Sequence, residues 1–62
     1  MVVRTITDEE NGKRWDIIKH EENRYDYAYY EYYKSIGWKR LSTDRGYTKD
    51  CIMFMFNLLF LV

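Results

Sequence analysis

At 62 residues the chain is one small domain, spanning 1–62, and a domain of that size buries only about 60% of its unfolded surface. Hydrophobic residues at 47% and aromatics at 19% are more than so small a monomer hides, which favours a homodimer. Ten acids against ten bases give zero net charge and exclude the overall basic footprint of a nucleic-acid binder.

"VVRTIT" is β-rich and is followed by Asn11-Gly12, a strong short-range hairpin signal. "KRWDIIK" then reads as a second strand with Trp15 and Ile17 on one face, and "HEEN" as a polar turn. The window Tyr25–Lys34 holds six of the seven tyrosines and reads as a third strand. Its period of two sets Tyr25, Tyr27, Tyr29 and Tyr33 on one face and Asp26, Ala28, Tyr30 and Tyr32 on the other, so both faces meet something. The stretch from Lys34 to Lys49 stays open between two readings. Ser35 could cap a short helix carrying Trp38 and Leu41 and ending at Gly46, or Thr43–Gly46 could be a turn between strands. From about Asp50, Ile52, Phe54 and Phe56 alternate with Met53 and Met55, the pattern of a strand apolar on both faces and buried in a core or at a subunit seam. "CIMFMFNLLFLV" is too short to span a membrane, which takes about 20 residues. The residues after Met1 also lack a signal-peptide pattern.

Catalytic chemistry finds no motif. There is no Gly-rich phosphate loop, no nucleophile motif and no metal-ligand cluster, so neither an enzyme nor a cofactor is expected. The lone His20 lacks zinc spacing and a nucleophile, and reads as an exposed turn residue. The lone Cys51 excludes an intrachain disulfide, points to a reduced cytosolic setting and reads as a small buried hydrophobe. The acidic runs Asp8–Glu10 and Glu21–Glu22, and the bases Lys39, Arg40, Arg45 and Lys49, read as solvated charge.

Two binding classes then compete. A tyrosine-rich sheet face can stack the bases of single-stranded nucleic acid, given flanking cations. It can equally form a protein-binding face in which carboxylates meet a basic partner. The tyrosine window with its preceding residue has Arg24 and Lys34 against Asp26 and Glu31, which leans to the second.

Tyr29-Tyr30-Glu31-Tyr32 with Lys34, then Gly46, Thr48, Asp50 and Ile52, and Asp16 upstream, follow an ungapped spacing that resembles the small dimeric uracil-DNA glycosylase inhibitors of protein-primed Bacillus phages. The resemblance covers about the last two-thirds of the chain and implies an α+β fold. That fold is a small antiparallel sheet of three to four strands with one short helix, placed at Ser35–Arg45, and paired into a homodimer. It implies a DNA mimic acting in the host bacterial cytoplasm, whose partner is bacterial uracil-DNA glycosylase, with no direct nucleic-acid contact and no membrane. Such a mimic blocks the cleft and holds the enzyme's base-flipping apolar side chain in a dimer pocket. Partner contacts expected from the resemblance are Glu31, Trp38, Leu41, Ser42 and Arg45, with Asp44 and Tyr47 close enough to substitute if the helix is shifted slightly. Leu41 stands for a pocket phenylalanine, while Ser42 replaces a glutamate and Arg45 a pocket tyrosine. The dimer seam is expected at Tyr30, Tyr32, Ile52, Phe54 and Phe56. Zero net charge departs from an acidic mimic, although local acidic strips act within a Debye length of about 8 Å. The competing expectation for Glu31 is a cross-strand lysine partner. For Trp38 and Leu41 it is plain helix-to-sheet packing.

Overall fold

The structure, a computed structural model, describes all residues Met1–Val62. Its four strands are β1 (Val2–Asp8), β2 (Lys13–Glu21), β3 (Arg24–Tyr33) and β4 (Gly37–Tyr47), and one helix, α1 (Lys49–Met55), follows. The strands form an antiparallel meander in the order β1-β2-β3-β4, so the fold is α+β with one open sheet. No helix is long and apolar enough to cross a membrane.

Local chemistry sets each turn. Asp8 accepts hydrogen bonds from the Asn11 backbone N–H at 3.3 Å and from its Nδ2 at 2.9 Å, closing the β1–β2 turn at the Asn-Gly pair. The "HEEN" turn is tighter than expected. Strand β2 runs through Glu21, which leaves Glu22 and Asn23 as the bend. Asn23 Oδ1 then accepts the Lys49 N–H at 2.8 Å and ties this bend to the start of α1.

The helix implied for Ser35–Arg45 is instead strand β4, paired along the whole tyrosine strand from Tyr25↔Tyr47 to Tyr33↔Gly37. The reason is local. Gly37 holds a φ of +79°, a left-handed value that a helix interior excludes. Pairing also satisfies the β3 backbone groups that would otherwise form a bare edge.

The closing segment, expected as a strand, is helical. Thr48 is extended (φ −76°, ψ 163°) and its hydroxyl accepts the Cys51 N–H at 3.2 Å, an N-cap. Asn57 takes φ +54° while its N–H reaches the Phe54 carbonyl and the Leu58 N–H reaches the Met53 carbonyl, which makes a Schellman stop. Ile52, Met53 and Phe56 turn toward the sheet, whereas Phe54 and Met55 point outward. Cys51, expected buried, is exposed.

The core is small. Ile17, Tyr25, Ile52 and Leu61 are its buried members, with Val3, Ile6, Tyr27, Tyr47, Met53, Phe56 and Leu58 packed around them. Helix and tail cover one sheet face through Phe56, whose ring lies 5.3 Å from Tyr27 and 6.3 Å from Trp15. Tyr25, Tyr27 and Tyr29 point to that covered face, as their period of two predicts. The Tyr25 hydroxyl donates to the Val62 carbonyl at 2.6 Å and pins the tail. Only seven of 62 residues are buried, so losing one core side chain, at about 2–5 kcal/mol, removes much of the stability.

Candidate functional site

The other sheet face is not covered by any element. Register brings Arg14, Tyr30 and Arg40 into one row across β2, β3 and β4, and Tyr32 and Trp38 into the next. The Arg14 guanidinium carbon lies 4.9 Å from the Tyr30 ring centre and that of Arg40 lies 5.5 Å from it. Arg40 also donates to the Tyr30 hydroxyl from Nε at 3.2 Å and Nη2 at 2.9 Å. Two cations thus flank one phenol, attracted to the negative face of its ring. Tyr32 and Trp38 meet edge-to-face at 5.4 Å and 67°. Beside them a notch of ≈ 260 Å³ is lined by Glu9, Gly12, Tyr32 and Trp38.

The acids of this face are already paired. Asp16, 4% exposed, receives Arg14 through Nε at 3.1 Å and Nη2 at 2.9 Å, and the Thr5 hydroxyl at 2.9 Å. Asp16 in turn raises the Arg14 pKa, chiefly through this hydrogen bonding. Asp26, 6% exposed, contacts His20 Nε2 at 2.6 Å and accepts the Gly46 N–H at 3.2 Å. Burial pushes the Asp26 carboxyl up, yet the His20 bond, the Gly46 N–H and the nearby charges of His20 and Arg45 together hold it below the usual range. His20 is therefore an exposed residue as expected, but one paired to a buried acid at the end of β2 rather than loose in a turn. No buried side-chain nitrogen or oxygen lacks a hydrogen-bond partner.

The covered side carries a different chemistry. Glu31 accepts the Tyr29 hydroxyl at 2.7 Å and the Tyr33 hydroxyl at 3.2 Å, and stands in register between Lys13 and Lys39. Its setting is the cross-strand lysine environment that competed with the partner-facing role. The Tyr29 phenol is pushed up to about 12, first by the bond to Glu31. Tyr33 is raised by burial and then by Glu31, and Tyr27 by Asp44, burial and Tyr47. An open groove of ≈ 470 Å³ runs between Ile6, Trp15, Tyr27 and the helix end at Met55, Phe56 and Asn57.

The expected partner set does not form one patch. Ser42, Asp44 and Tyr47 pair with Tyr29, Tyr27 and Tyr25 and share the covered side with Glu31. Trp38 pairs with Tyr32 on the open face, and Leu41 and Arg45 sit where the β3–β4 register shifts. Neither Trp38 nor Leu41 packs between a helix and the sheet, because the segment that carries them is itself a strand.

The expected dimer seam also divides. Tyr30 and Tyr32 are on the open face, Ile52 is in the core, Phe56 lies beneath the helix, and Phe54 is 88% exposed on its outer surface. The five residues therefore lie on different surfaces of the chain and do not form one continuous patch.

Sequence reasoning missed Arg14, Arg40 and Glu9. A signal was present in the spacings Arg14-x-Asp16, Tyr30-x-Tyr32 and Trp38-x-Arg40, since residues two apart on a strand share a face. No protein-family model, curated protein or solved structure matches the chain.

Proposed function

We propose that the uncovered sheet face binds single-stranded nucleic acid, with bases stacking on Tyr32 and Trp38 and phosphates held by Arg40 and Arg45. The observation that carries this reading is the Tyr30 ring flanked by two guanidiniums on a face that no element covers. Aromatic rings and guanidinium planes stack bases, and stacking contributes about 1–3 kcal/mol per base. Zero net charge does not oppose it locally. Asp16 and Asp26 are paired within the face, and the acidic runs Asp8–Glu10 and Glu21–Glu22 lie at or beside the bends at its ends. With so few free cations, affinity should fall in the weak range of about 10⁻⁴–10⁻⁶ M. Titrating a labelled thymine oligonucleotide at low salt while following its anisotropy tests the reading, and no binding at a hundred micromolar or so refutes it.

A second reading, inhibition of uracil-DNA glycosylase by DNA mimicry, rests on the Tyr29-to-Ile52 spacing and on Leu41. That side chain is 44% exposed on edge strand β4, where a partner could reach it. The two readings separate cleanly. A mimic removes uracil-excision activity stoichiometrically and leaves oligonucleotides unbound, whereas a nucleic-acid module does the reverse.

We also propose a homodimer formed through the helix and tail rather than through the sheets. Phe54, Leu59, Phe60 and Val62 are 88%, 98%, 67% and 63% exposed. With roughly 150–250 Å² for each aromatic, the four present on the order of 500 Å² of apolar surface per protomer. Two-fold pairing would then bury on the order of 1,000 Å², about the minimum for a stable interface. Phe54→Asp, at an exposed position, should give a folded monomer in sedimentation, and an unchanged dimer would refute this interface.

A further inference from the structure

We infer that the notch formed by Glu9, Gly12, Tyr32 and Trp38 takes a guanine base of the bound strand. The inference rests on the nucleic-acid reading above and adds base selectivity to it. At ≈ 260 Å³ the notch is smaller than the roughly 300 Å³ at which pockets for drug-sized ligands begin, so it suits one base and little more. Its aromatic walls stand at 67°, so a base can stack on the Trp38 indole while the Tyr32 ring bounds it edge-on.

Glu9 supplies the reading group. The neighbouring acid Asp8 is engaged by Asn11, but the Glu9 carboxylate has no hydrogen-bond or ion-pair partner in the chain. A carboxylate presents two acceptors side by side and no donor. Guanine alone offers two adjacent donors, N1–H and the N2 amino group, that match it. Adenine and cytosine each set one amino donor beside a ring-nitrogen lone pair, and thymine sets one N–H between two carbonyls, so each turns a lone pair toward Glu9. The same negative charge keeps the phosphate away from the notch. Arg40 can take that phosphate, since it lies two residues beyond Trp38 on the same face, about 6.6 Å along the strand.

A bidentate base contact discriminates by about 1–3 kcal/mol, and in a solvent-exposed notch we expect the lower part of that range, about tenfold. The test uses thymine heptanucleotides whose central base is G, A, C or T, titrated against the full chain and its Glu9→Gln variant. The parent should bind the guanine oligomer about tenfold tighter than the other three. Glu9→Gln should bring the four affinities together while still binding the all-thymine oligomer. The ratio is the readout, because removing one negative charge can raise all four affinities. Four equal affinities in the parent overturn the guanine site and leave the nucleic-acid reading standing. Binding of none of the four overturns both, and a guanine preference that survives Glu9→Gln removes Glu9 as the reader.

Discussion

Replacing Arg40 by glutamine tests where a nucleic-acid strand would lie. Arg14 is held by Asp16, whereas Arg40 on the open face has no carboxylate bond, and Arg45, at the register shift near Asp26, is the second cation of the proposed path. Two phosphate contacts on a single strand give a slope of log affinity against log salt of about −0.7 × 2, or about −1.4. Between about 50 and 200 mM salt the parent should then lose affinity about sevenfold. Arg40→Gln should halve the slope to about −0.7 and reduce that loss to about 2.5-fold. Fold stability should change by less than about 0.5 kcal/mol, because the side chain is exposed and its bond to the Tyr30 hydroxyl is open to water. Lys39→Gln is the control, since Lys39 pairs with Glu31 on the opposite side of the sheet. The assay is fluorescence anisotropy of a labelled oligonucleotide over a salt series. A slope that stays near −1.4 in Arg40→Gln, or one that falls equally in Lys39→Gln, would show that the strand does not run across this face.

Three further outcomes follow from side chains whose surroundings are defined. Tyr25→Phe removes the bond to the Val62 carbonyl and should cost about 0.5–1.5 kcal/mol; in a chain of this size that lowers Tm by roughly 4–8 °C per kcal/mol, and an unchanged melt would mean the tail is held by Leu61 alone. Asp26 is held below its ordinary pKa, so its stabilisation is present above about pH 3.9 and is lost as pH falls through the lower folded value. Asp26→Asn should flatten the acid limb of the Tm–pH curve, and superimposable limbs would refute the pairing with His20. Tyr29 is raised to about 12, so its contribution is intact below about pH 10 and declines as pH rises toward 12. Tyr29→Phe should remove that part of the alkaline slope, measured by melts across the range, and equal slopes would show that the Glu31 bond does not persist in solution.

The first three strands were legible because their signals are local and agree. Asn11-Gly12 names its turn, and the tyrosine window alternates strictly enough that its two faces could be assigned before any register was known. Strand β4 was not legible. It lies at a sheet edge, where seven of its eleven residues are exposed and none is buried, so no alternation of hydrophobicity marks it. Lys39, Arg40 and Arg45 there also have a plain structural use, since charge on an open edge discourages pairing with another chain. The open-face cluster was hidden for a related reason. Arg14, Tyr30 and Arg40 are far apart in sequence and meet only once three strands take their register.

Helix α1 failed to show itself for the opposite reason, an excess of apolar residues. A surface helix reveals its period through a contrast between its two sides, and here both sides are apolar. Ile52 and Phe56 pack on the sheet, while Phe54 and Met55 face outward. With the contrast gone, period two and period 3.6 fit a seven-residue segment equally well. The ends carry the signals that could have shown it. Thr48 is a cap residue, and Asn57 is the one residue after Met55 suited to the left-handed conformation that stops a helix. Asn57 is a lone polar residue in an apolar run, and its role is backbone geometry. The apolar outer surface that obscured the period is the same surface that favours a partner. A helix whose solvent side carries Phe54, beside a tail carrying Leu59 and Phe60, retains apolar area that the monomer does not bury. The helix was hard to recognise in one chain because its sequence is suited to contact on both sides.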